Sequence, residues 1–428
     1  MTTLAAKYKT YRLESLFRRE IYTSDPVLED YYGDGVFAVD GDKWKEQRKL
    51  SSPDFSKRVL RDVNSIVFRR NAAKLANILY EAANSNNTVD IQDLLLKSSM
   101  DSLFQVAFGI ELESVCRSMS ELSFWRYIDL FWRIKKVLNI GSEAKLKRSG
   151  QILDWYIYNL ISTKTEQLSH DHQHDSSRKE ENILSRFWHY STTNPKYLRD
   201  ILVNFMGGGK DTTGMTLAWF IWSLCKHPQV QEKVALEIKD AAKSNIGTTI
   251  SDFASHLNEE AMDKMYYLQA VLSETFRTSS FYSIESQLEL NTSCRVPQNF
   301  NVYNDVLPDG YNVNKGDMVA YQPYAMGRMS NIWGDDAQEF KLERWIDENG
   351  SFKQESPSNL PFSRSAGPRI CIGKEFAYRQ MKITAAVLLR FFIFKLADGS
   401  RPVTYKTMIQ LHIAGGLHVR AMQRIDQN

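Results

Sequence analysis

The chain has few cysteines, little net charge and no long apolar run, and each shortage excludes a class of protein. Its four cysteines, Cys116, Cys225, Cys294 and Cys371, are far apart and form no C-x-x-C pair. Neither a disulfide framework nor a zinc site is therefore expected, and a reducing compartment is favoured. Basic residues number 54 against 51 acidic ones, a formal charge of +3, which gives no reason to expect nucleic acid as a partner.

The apolar stretches are too short to cross a bilayer. The longest, near residues 217–225, is about half of the roughly 20 residues that a spanning helix requires. Residues 1–10 are polar and lack the apolar segment of a secretory signal. The sequence as written therefore predicts no N-terminal anchor and a cytosolic chain.

The composition is that of a globular protein, with 43% hydrophobic and 25% charged residues among 428. Amphipathic segments of helical length predominate, at residues 62–83, 91–108, 152–168, 197–226 and 262–278. Near the end lie a hairpin turn at residues 306–310 and an alternating pattern at residues 403–419, while residues 169–182 form a polar break that predicts a surface loop. We therefore predict a mainly α fold with small β-sheets, as one domain over residues 1–428.

Three consecutive glycines, at residues 207–209, interrupt the helical pattern of residues 197–226. Each glycine costs about 1 kcal/mol relative to alanine in a helix interior. The triplet therefore indicates either a distorted backbone that faces a ligand or close packing against another helix. Asp211 and Thr212 follow directly, and an acid beside a hydroxyl can relay protons. The segment by itself leaves both explanations of the glycines open.

A carboxylate and a guanidinium, Glu274 and Arg277, lie three residues apart in the predicted helix 262–278. Such pairs usually lie on a solvated face and contribute only about 0.2–0.5 kcal/mol. Here most of the flanking residues are apolar, so we expect the two charges to be buried and to satisfy one another. Arg344 is a candidate third member.

A glycine-rich segment at residues 366–375 carries a lone cysteine, Cys371, just before a predicted helix. Amides at a helix N-terminus lower the pKa of a cysteine and favour the thiolate, and two glycines let the backbone approach a flat cofactor. The pattern fits a thiolate ligand of haem iron, with Arg369 placed to pair with a haem propionate. The alternative is a buried structural cysteine.

These motifs, and their order along the chain, resemble those of plant microsomal cytochromes P450 over nearly the whole sequence. The cysteine segment is similar to the family's haem-binding signature, residues 208–213 to its oxygen-activation motif, and Glu274 with Arg277 to its E-x-x-R pair. The resemblance implies the cytochrome P450 fold, haem b as cofactor and Cys371 as the iron ligand. It also implies that the E-x-x-R pair and Arg344 hold the fold behind the cysteine segment.

Further site residues follow from the resemblance. Residues 44–48 resemble the family's W-x-x-x-R helix, which implies propionate contacts from that helix. Asp211 and Thr212 would guide protons. The cofactor contacts implied besides Cys371 are Trp44, Arg48, Arg369, Gly208 and Gly209.

The implied reaction inserts one atom of O₂ into a C–H bond, with electrons from NADPH–cytochrome P450 reductase. Residues 33–37, 54–56, 326–328 and 375–380 are most similar to plant fatty-acid ω-hydroxylases. This implies long-chain fatty acids as substrates and the cytosolic face of the endoplasmic reticulum as location, or the cytosol if the missing anchor is genuine. An apolar channel is a further hypothesis, although such residues more often form plain core; its residues are Phe205, Met206, Leu411 and Ile413.

The chain also departs from the family at several positions. The link between Pro26 and Gly33 is short, residues 278–295 look like an insertion, Leu342 replaces a frequent proline, and Arg364 stands where the signature has a phenylalanine. These departures leave a second hypothesis open, a catalytically impaired haem-binding or apo protein.

Two clusters of polar residues have alternative interpretations. Three histidines, His170, His172 and His174, could bind a transition metal, although a solvated loop is favoured there. Three cations near the cysteine could form a docking face for an acidic reductase, although a charged helix face is usually only solvated; they are Lys374, Arg379 and Lys382.

Overall fold

A computed structural model describes most of the chain, and its helices dominate as predicted. The described residues are 33–37, 39, 41–109, 132–174, 183–190, 194–243, 247–279, 305–306, 310, 312–313, 326–353, 370–400, 402–407 and 411–424. The mainly α fold with small antiparallel sheets is confirmed.

The helices of this part of the chain are α1 (Gly41–Ser51), α2 (Ser65–Asn84), α3 (Ile91–Phe108), α4 (Trp132–Leu138), α5 (Gly141–His174), α6 (Ile183–Tyr190), α7 (Pro195–Gly209), α8 (Asp211–Lys226), α9 (Pro228–Ala241), α10 (Ile250–His256), α11 (Glu259–Asp263), α12 (Tyr266–Ser279) and α13 (Lys374–Phe391). Shorter helical turns lie at Ser52–Phe55, Lys57–Val59, Leu60–Asn64, Ser330–Trp333 and Leu342–Arg344.

Helix α3 has the predicted bounds because both of its ends are capped by suitable residues. Asp90 accepts a hydrogen bond from the amide of Asp93 at 3.3 Å, which satisfies one of the free amides of the first turn. At the other end Gly109 adopts a left-handed φ of 65°, a conformation that costs glycine little.

The predicted helical segment 197–226 is divided at Lys210, which lies between the end of α7 at Gly209 and the start of α8 at Asp211. The amide of Lys210 still donates to the carbonyl of Met206 at 3.3 Å. The carbonyl of Gly208, by contrast, accepts the hydroxyl of Thr212 at 2.6 Å. The break therefore directly follows the glycine triplet.

Other predicted boundaries shift more simply. The segment 152–168 lies within the longer α5, so residues 169–174 are helical and not part of a loop, while residues 175–182 lie outside the described residues. The segment 262–278 is divided between α11 and α12, and the segment 62–83 begins in the π-helical turn before α2.

The strands form small antiparallel sheets. One sheet has the order β1–β7–β4, from β1 (Thr88–Asp90), β4 (Phe392–Leu396) and β7 (His418–Gln423), and two hairpins pair β2 (Asp305–Val306) with β3 (Asn312–Val313) and β5 (Tyr405–Thr407) with β6 (Leu411–Ile413). The predicted hairpin near residue 308 is confirmed by β2 and β3. The alternating segment 403–419 is β5, β6 and the start of β7.

The buried core extends from Leu60 to Ala421 and is contributed by both helices and sheets. Helix α8 packs on α3, and α13 packs on α2. The first contact is very close, because a Cβ atom added at Gly214 would lie 2.9 Å from the Cα of Leu96. Among the described helices, none is both long and apolar enough to cross a membrane.

Candidate active site

An open cavity lies between α1, the break between α7 and α8, and the start of α13. Several residues singled out from the sequence line this cavity: Trp44, Arg48, Phe205, Gly207, Gly208, Gly209, Thr212, Cys371 and Lys374. The cavity therefore brings together three motifs that are far apart in the chain.

Cys371 is a free, exposed cysteine in the wall of this cavity, three residues before α13 begins. Its carbonyl oxygen accepts a 3.5 Å hydrogen bond from the amide of Lys374, the first residue of α13. The alternative of a buried structural cysteine is wrong. Cys371 is therefore placed directly before the positive end of the α13 dipole.

Trp44 and Arg48 lie one turn apart on α1, and both line the cavity. The Nη2 atom of Arg48 donates to the carbonyl of Ile370 at 2.6 Å, which joins α1 to the residue preceding Cys371. Burial lowers the pKa of the Arg48 guanidinium, and the electrostatic interaction with Cys371 opposes that shift. A half-buried cation in a cavity wall favours an anionic group in the cavity.

The helix break contributes a wall with little side-chain bulk. A Cβ at Gly208 would lie 3.2 Å from Cζ of Phe37, and one at Gly209 would lie 2.8 Å from Cδ2 of Leu103 on α3. Gly207, Gly208 and Gly209 also line the cavity. Both explanations of the triplet therefore hold, because the glycines face the cavity and Gly209 also permits close helix packing.

The structure separates the two residues expected to guide protons. Thr212 lines the cavity, whereas Asp211 is buried and is absent from its lining. An Asp211 oxygen lies 4.0 Å from the ammonium of Lys210. A proton role for Asp211 stays a prediction.

Glu274 and Arg277 form the buried pair that the sequence predicts. Their side chains are fully buried and share two 2.7 Å hydrogen bonds. Arg277 also donates to the carbonyls of Gly327, Ala337 and Glu339 at 2.5–2.6 Å. The pair thus fastens α12 to the segment that follows residue 326.

Arg344 approaches this pair less closely than expected, with its Nε 3.8 Å from a Glu274 oxygen. Its closer ion-pair partner is Asp336, at 2.6 Å. The indole of Trp345 donates to Glu274 at 2.9 Å and the amide of Lys341 donates to it at 2.7 Å. Sequence reasoning missed these two partners.

The rest of the cavity wall is largely aromatic. The Phe55 ring stacks on Phe205 with centroids 6.0 Å apart and meets Phe376 edge-on at 5.7 Å, while Phe276 lies 5.3 Å from Tyr378. Such rings enclose an apolar ligand and exclude water.

The predicted channel is mostly wrong, because Phe205 is the one member of the four that lines the cavity. Met206, Leu411 and Ile413 are buried in the core. The carbonyl of Leu411 accepts the indole N–H of Trp219 at 2.8 Å. Core packing therefore explains these residues.

Two of the three cations proposed as a docking face are engaged within the chain. Arg379 pairs with Glu259 at 2.6 Å, and Lys382 is mostly buried and donates to the Met262 carbonyl at 2.7 Å. Burial lowers the pKa of Lys382 to about 8. These contacts contradict a role for Arg379 and Lys382 as exposed docking charges.

Several predicted features lie outside the described residues, namely Arg369, Arg364, the link 26–32 and most of the insertion 278–295. The backbone at the three histidines is helical. The side chains of the three histidines lie outside what the structure describes, and among the side chains that it does describe no group of histidine, cysteine and acidic residues is arranged to hold a metal ion.

The family model for cytochrome P450 matches residues 17–417. The chain belongs to the cytochrome P450 family. Cytochrome P450 704C1 of Pinus taeda is 40% identical over 482 positions, covering 100% of this chain and 89% of that protein. Cytochrome P450 704B1 of Arabidopsis thaliana is 35% identical, covering 94% and 82%, and cytochrome P450 86B1 of the same plant is 32% identical, covering 96% and 75%.

Membership makes the chain a haem-iron monooxygenase, an oxidoreductase that uses a redox partner and acts on hydrophobic substrates. The residues in the cavity fit the haem group of the family. They provide a free thiol at Cys371, a cation at Arg48, the indole of Trp44 and an opposing wall of glycines. The match over the whole chain does not favour the hypothesis of an impaired protein.

The alignment with the pine protein spans 482 positions, whereas this chain has 428 residues. The relative therefore has residues at several tens of positions where this chain has none.

Proposed function

We propose that this cytochrome P450 is a haem-thiolate enzyme that hydroxylates long-chain fatty acids at the ω position. Its cofactor would be haem b, and its electron donor NADPH–cytochrome P450 reductase. The observation that carries the proposal is that Cys371 and Thr212 lie in one cavity whose remaining wall is mostly aromatic and aliphatic. An apolar cavity of this kind suits an alkyl chain.

The fatty-acid class rests on sequence similarity and on this apolar wall. Residues 33–37, 54–56, 326–328 and 375–380 resemble plant fatty-acid ω-hydroxylases. Phe37 and Phe205 provide ring surface on the cavity wall near the helix break. Similarity of fold alone does not identify a substrate. The fatty-acid class is therefore supported by the apolar cavity wall together with these four sequence segments.

Each site residue has a definite task in the proposed mechanism. Bound haem would supply the activation of O₂ and the insertion of oxygen. Cys371, which directly precedes α13, would hold the iron as a thiolate, and Trp44, Arg48 and Arg369 would hold the propionates.

Thr212 would hold a proton at its hydroxyl oxygen within the cavity. Its hydroxyl donates to the carbonyl of Gly208 at 2.6 Å, which fixes the rotamer and directs the oxygen lone pairs away from that carbonyl. A group held in this way can pass on a proton that it receives. The aromatic residues would orient the alkyl chain and exclude water from this step.

The test begins with the absorbance difference spectrum of the reduced protein treated with carbon monoxide. Thiolate ligation gives a red-shifted Soret band, and Cys371→Ala should abolish it. Cys225→Ala is the matched control, because Cys225 is a largely buried thiol whose pKa is raised to about 12 by its burial. Loss of the band in the control alone, or its persistence without Cys371, would refute the assignment.

The substrate proposal needs its own measurement. Protein that shows the red-shifted band is incubated with long-chain fatty acids, the reductase and NADPH, and the hydroxylated position is determined by mass spectrometry. Product at the terminal carbon supports ω-hydroxylation. Turnover of other apolar compounds without fatty-acid products would replace the substrate class and retain the monooxygenase.

We also propose a single domain and attachment to the cytosolic face of the endoplasmic reticulum. The continuous core from Leu60 to Ala421 supports the first proposal, and the resemblance to plant microsomal enzymes supports the second. Cooperative loss of helix and haem signals at one temperature would test the first, and fractionation of plant cells would test the second.

A further inference from the structure

Two buried polar side chains of α7 bind the backbone of residues 33–37. Asp200 accepts a hydrogen bond from the amide of Asp34 at 2.9 Å, and Asn204 accepts one from the amide of Phe37 at 2.8 Å. Residues four apart on a helix lie on one face. Both side chains are almost fully buried, where a polar group without a hydrogen bond would be costly.

Neighbouring groups orient both side chains. The guanidinium of Arg199 donates to Oδ1 of Asp200 at 2.9 Å, while Oδ2 receives the amide of Asp34. The amide nitrogen of Asn204 donates to the backbone carbonyl of Asp200 at 2.7 Å, so its oxygen is directed at Phe37. These contacts hold Oδ2 of Asp200 and Oδ1 of Asn204 toward the backbone amides of residues 34 and 37.

Two glycines let the segment approach α7 this closely. A Cβ at Gly33 would lie 2.2 Å from the carboxyl group of Asp200, and one at Gly35 would lie 1.9 Å from the amide of Asn204. Gly33 also has a left-handed φ of 52°, which disfavours other residues. On the far side, Gln47 of α1 donates to the carbonyl of Asp34 at 2.7 Å.

The segment ends at Phe37, whose ring lies against the backbone of Gly208 at the helix break. Phe37, Asn204 and Gly208 line the same cavity as Thr212. The Asn204 side chain accepts the amide of Phe37 directly, and Asp200 holds the same segment at Asp34. Together they fix where the Phe37 side chain leaves the backbone, beside the Gly208 carbonyl that accepts the Thr212 hydroxyl.

We propose that Asp200 and Asn204 are positioning residues of this monooxygenase, which act through Phe37 to set how far an apolar ligand enters beside Gly208. Neither is a catalytic residue. The inference rests on membership of the family and is independent of the fatty-acid substrate. A structural tie without effect on the cavity is the alternative.

The test measures ligand entry without turnover. Straight-chain alkylamines from butylamine to dodecylamine bind haem iron through nitrogen, and the Soret shift gives a Kd for each length. The proteins are the parent, Asn204→Leu, Phe37→Ala and the double variant. Coupling between positions in contact commonly amounts to about two- to hundredfold, so Asn204→Leu should change the ratio of long- to short-chain Kd at least about threefold.

The double variant separates positioning from stability. Without the ring of Phe37, the change at Asn204 should alter the Kd ratio by less than about twofold, because the group through which it acts is gone. An equal change of Kd at every length, or an undiminished effect in the Phe37→Ala background, would overturn the proposal.

A second pair of variants applies if Asn204→Leu does not retain haem. Gly35→Ala places a methyl against Asn204, whereas Gly399→Ala places one in open space, and neither glycine has a left-handed φ. The first should change the Kd ratio and the second should not. Identical behaviour of the two would contradict the proposal. If the variants change the ratio of alkylamine Kd values as expected but the parent protein hydroxylates no fatty acid, the proposed substrate is refuted and this inference stands.

Discussion

Glu274 and Arg277 meet in two parallel 2.7 Å hydrogen bonds inside the protein, with neither side chain exposed to solvent. Every carboxylate oxygen has a further donor, from Lys341 or Trp345. Three backbone carbonyls accept the remaining guanidinium hydrogens. A buried pair is tolerated when such hydrogen bonds satisfy it, and the removal of one member leaves an isolated buried charge.

Arg277→Leu should therefore destabilise the fold strongly. Breaking a buried pair by removing one partner costs about 3–5 kcal/mol, to be measured by urea unfolding followed by circular dichroism. The control is Lys264→Ala, which breaks the exposed pair between Lys264 and Glu260 and should leave the midpoint unchanged. Equal midpoints for the two variants would show that the buried pair contributes little.

The local parts of the fold were predictable because their signals lie in adjacent residues. Helix α3 is fixed by its periodicity, by the cap at Asp90 and by the glycine at its end. The E-x-x-R pair likewise follows from a spacing of three on a helix with apolar neighbours. Periodicity does not report the break at Lys210, beside which Gly209 lies close to Leu103 and the hydroxyl of Thr212 donates to the carbonyl of Gly208.

The residues that the sequence failed to indicate act across long separations. Asp200 and Asn204 bind residues 166 and 167 positions away. Their one signal was two polar residues, four apart, in an otherwise apolar stretch of a predicted helix. The supposed docking cations failed for a similar reason, because the partners of Arg379 and Lys382 lie 120 positions away.

Thr212→Val should reduce the share of electrons that appears in product. Thr212 lines the cavity and Thr216 does not, yet each hydroxyl donates to the carbonyl four residues earlier at 2.6 Å. Loss of a proton-transfer group commonly slows a reaction about a hundredfold or more. The measurement is product formed per NADPH consumed, and Thr216→Val is the control. Equal ratios in both variants would exclude a proton role for Thr212.

The pH dependence of stability should reveal Lys382. Burial lowers its folded-state pKa to about 8 from the ordinary lysine value of 10.5, so the unfolded chain binds more protons between those two pH values. Stability attributable to this group therefore rises as the pH increases from 8 to 10.5, and its full cost is present below pH 8.

Lys382→Met should accordingly stabilise the protein at pH 7 by at most roughly 3 kcal/mol. It should also remove part of the rise in stability above pH 8. Urea midpoints of parent and variant from pH 7 to 10 provide the test, with Lys395→Met at an exposed position of β4 as control. If the difference in urea midpoint between Lys382→Met and the parent does not change with pH, the pKa of Lys382 is not lowered in the folded protein.

Alanine substitutions at two glycines should separate helix packing from the shape of the cavity. At Gly214 the new Cβ would meet the backbone of Leu96 at 2.9 Å, and backbone yields only if α8 and α3 move apart. Overpacking of this kind costs about 1–3 kcal/mol, which outweighs the gain in helix propensity of about 1 kcal/mol. Gly214→Ala should therefore lower the thermal unfolding temperature.

At Gly208 the nearest atom is the end of the Phe37 ring, 3.2 Å away, which can rotate aside. Gly208→Ala should thus keep or raise the unfolding temperature, because the propensity gain of about 1 kcal/mol remains. The displaced ring should at the same time alter the affinity for alkylamines in the cavity, an effect that Gly214→Ala should lack. If Gly208→Ala instead destabilises the protein as much as Gly214→Ala, the ring of Phe37 cannot rotate away from the added methyl group. The Phe37 ring would then be a rigid part of the cavity wall.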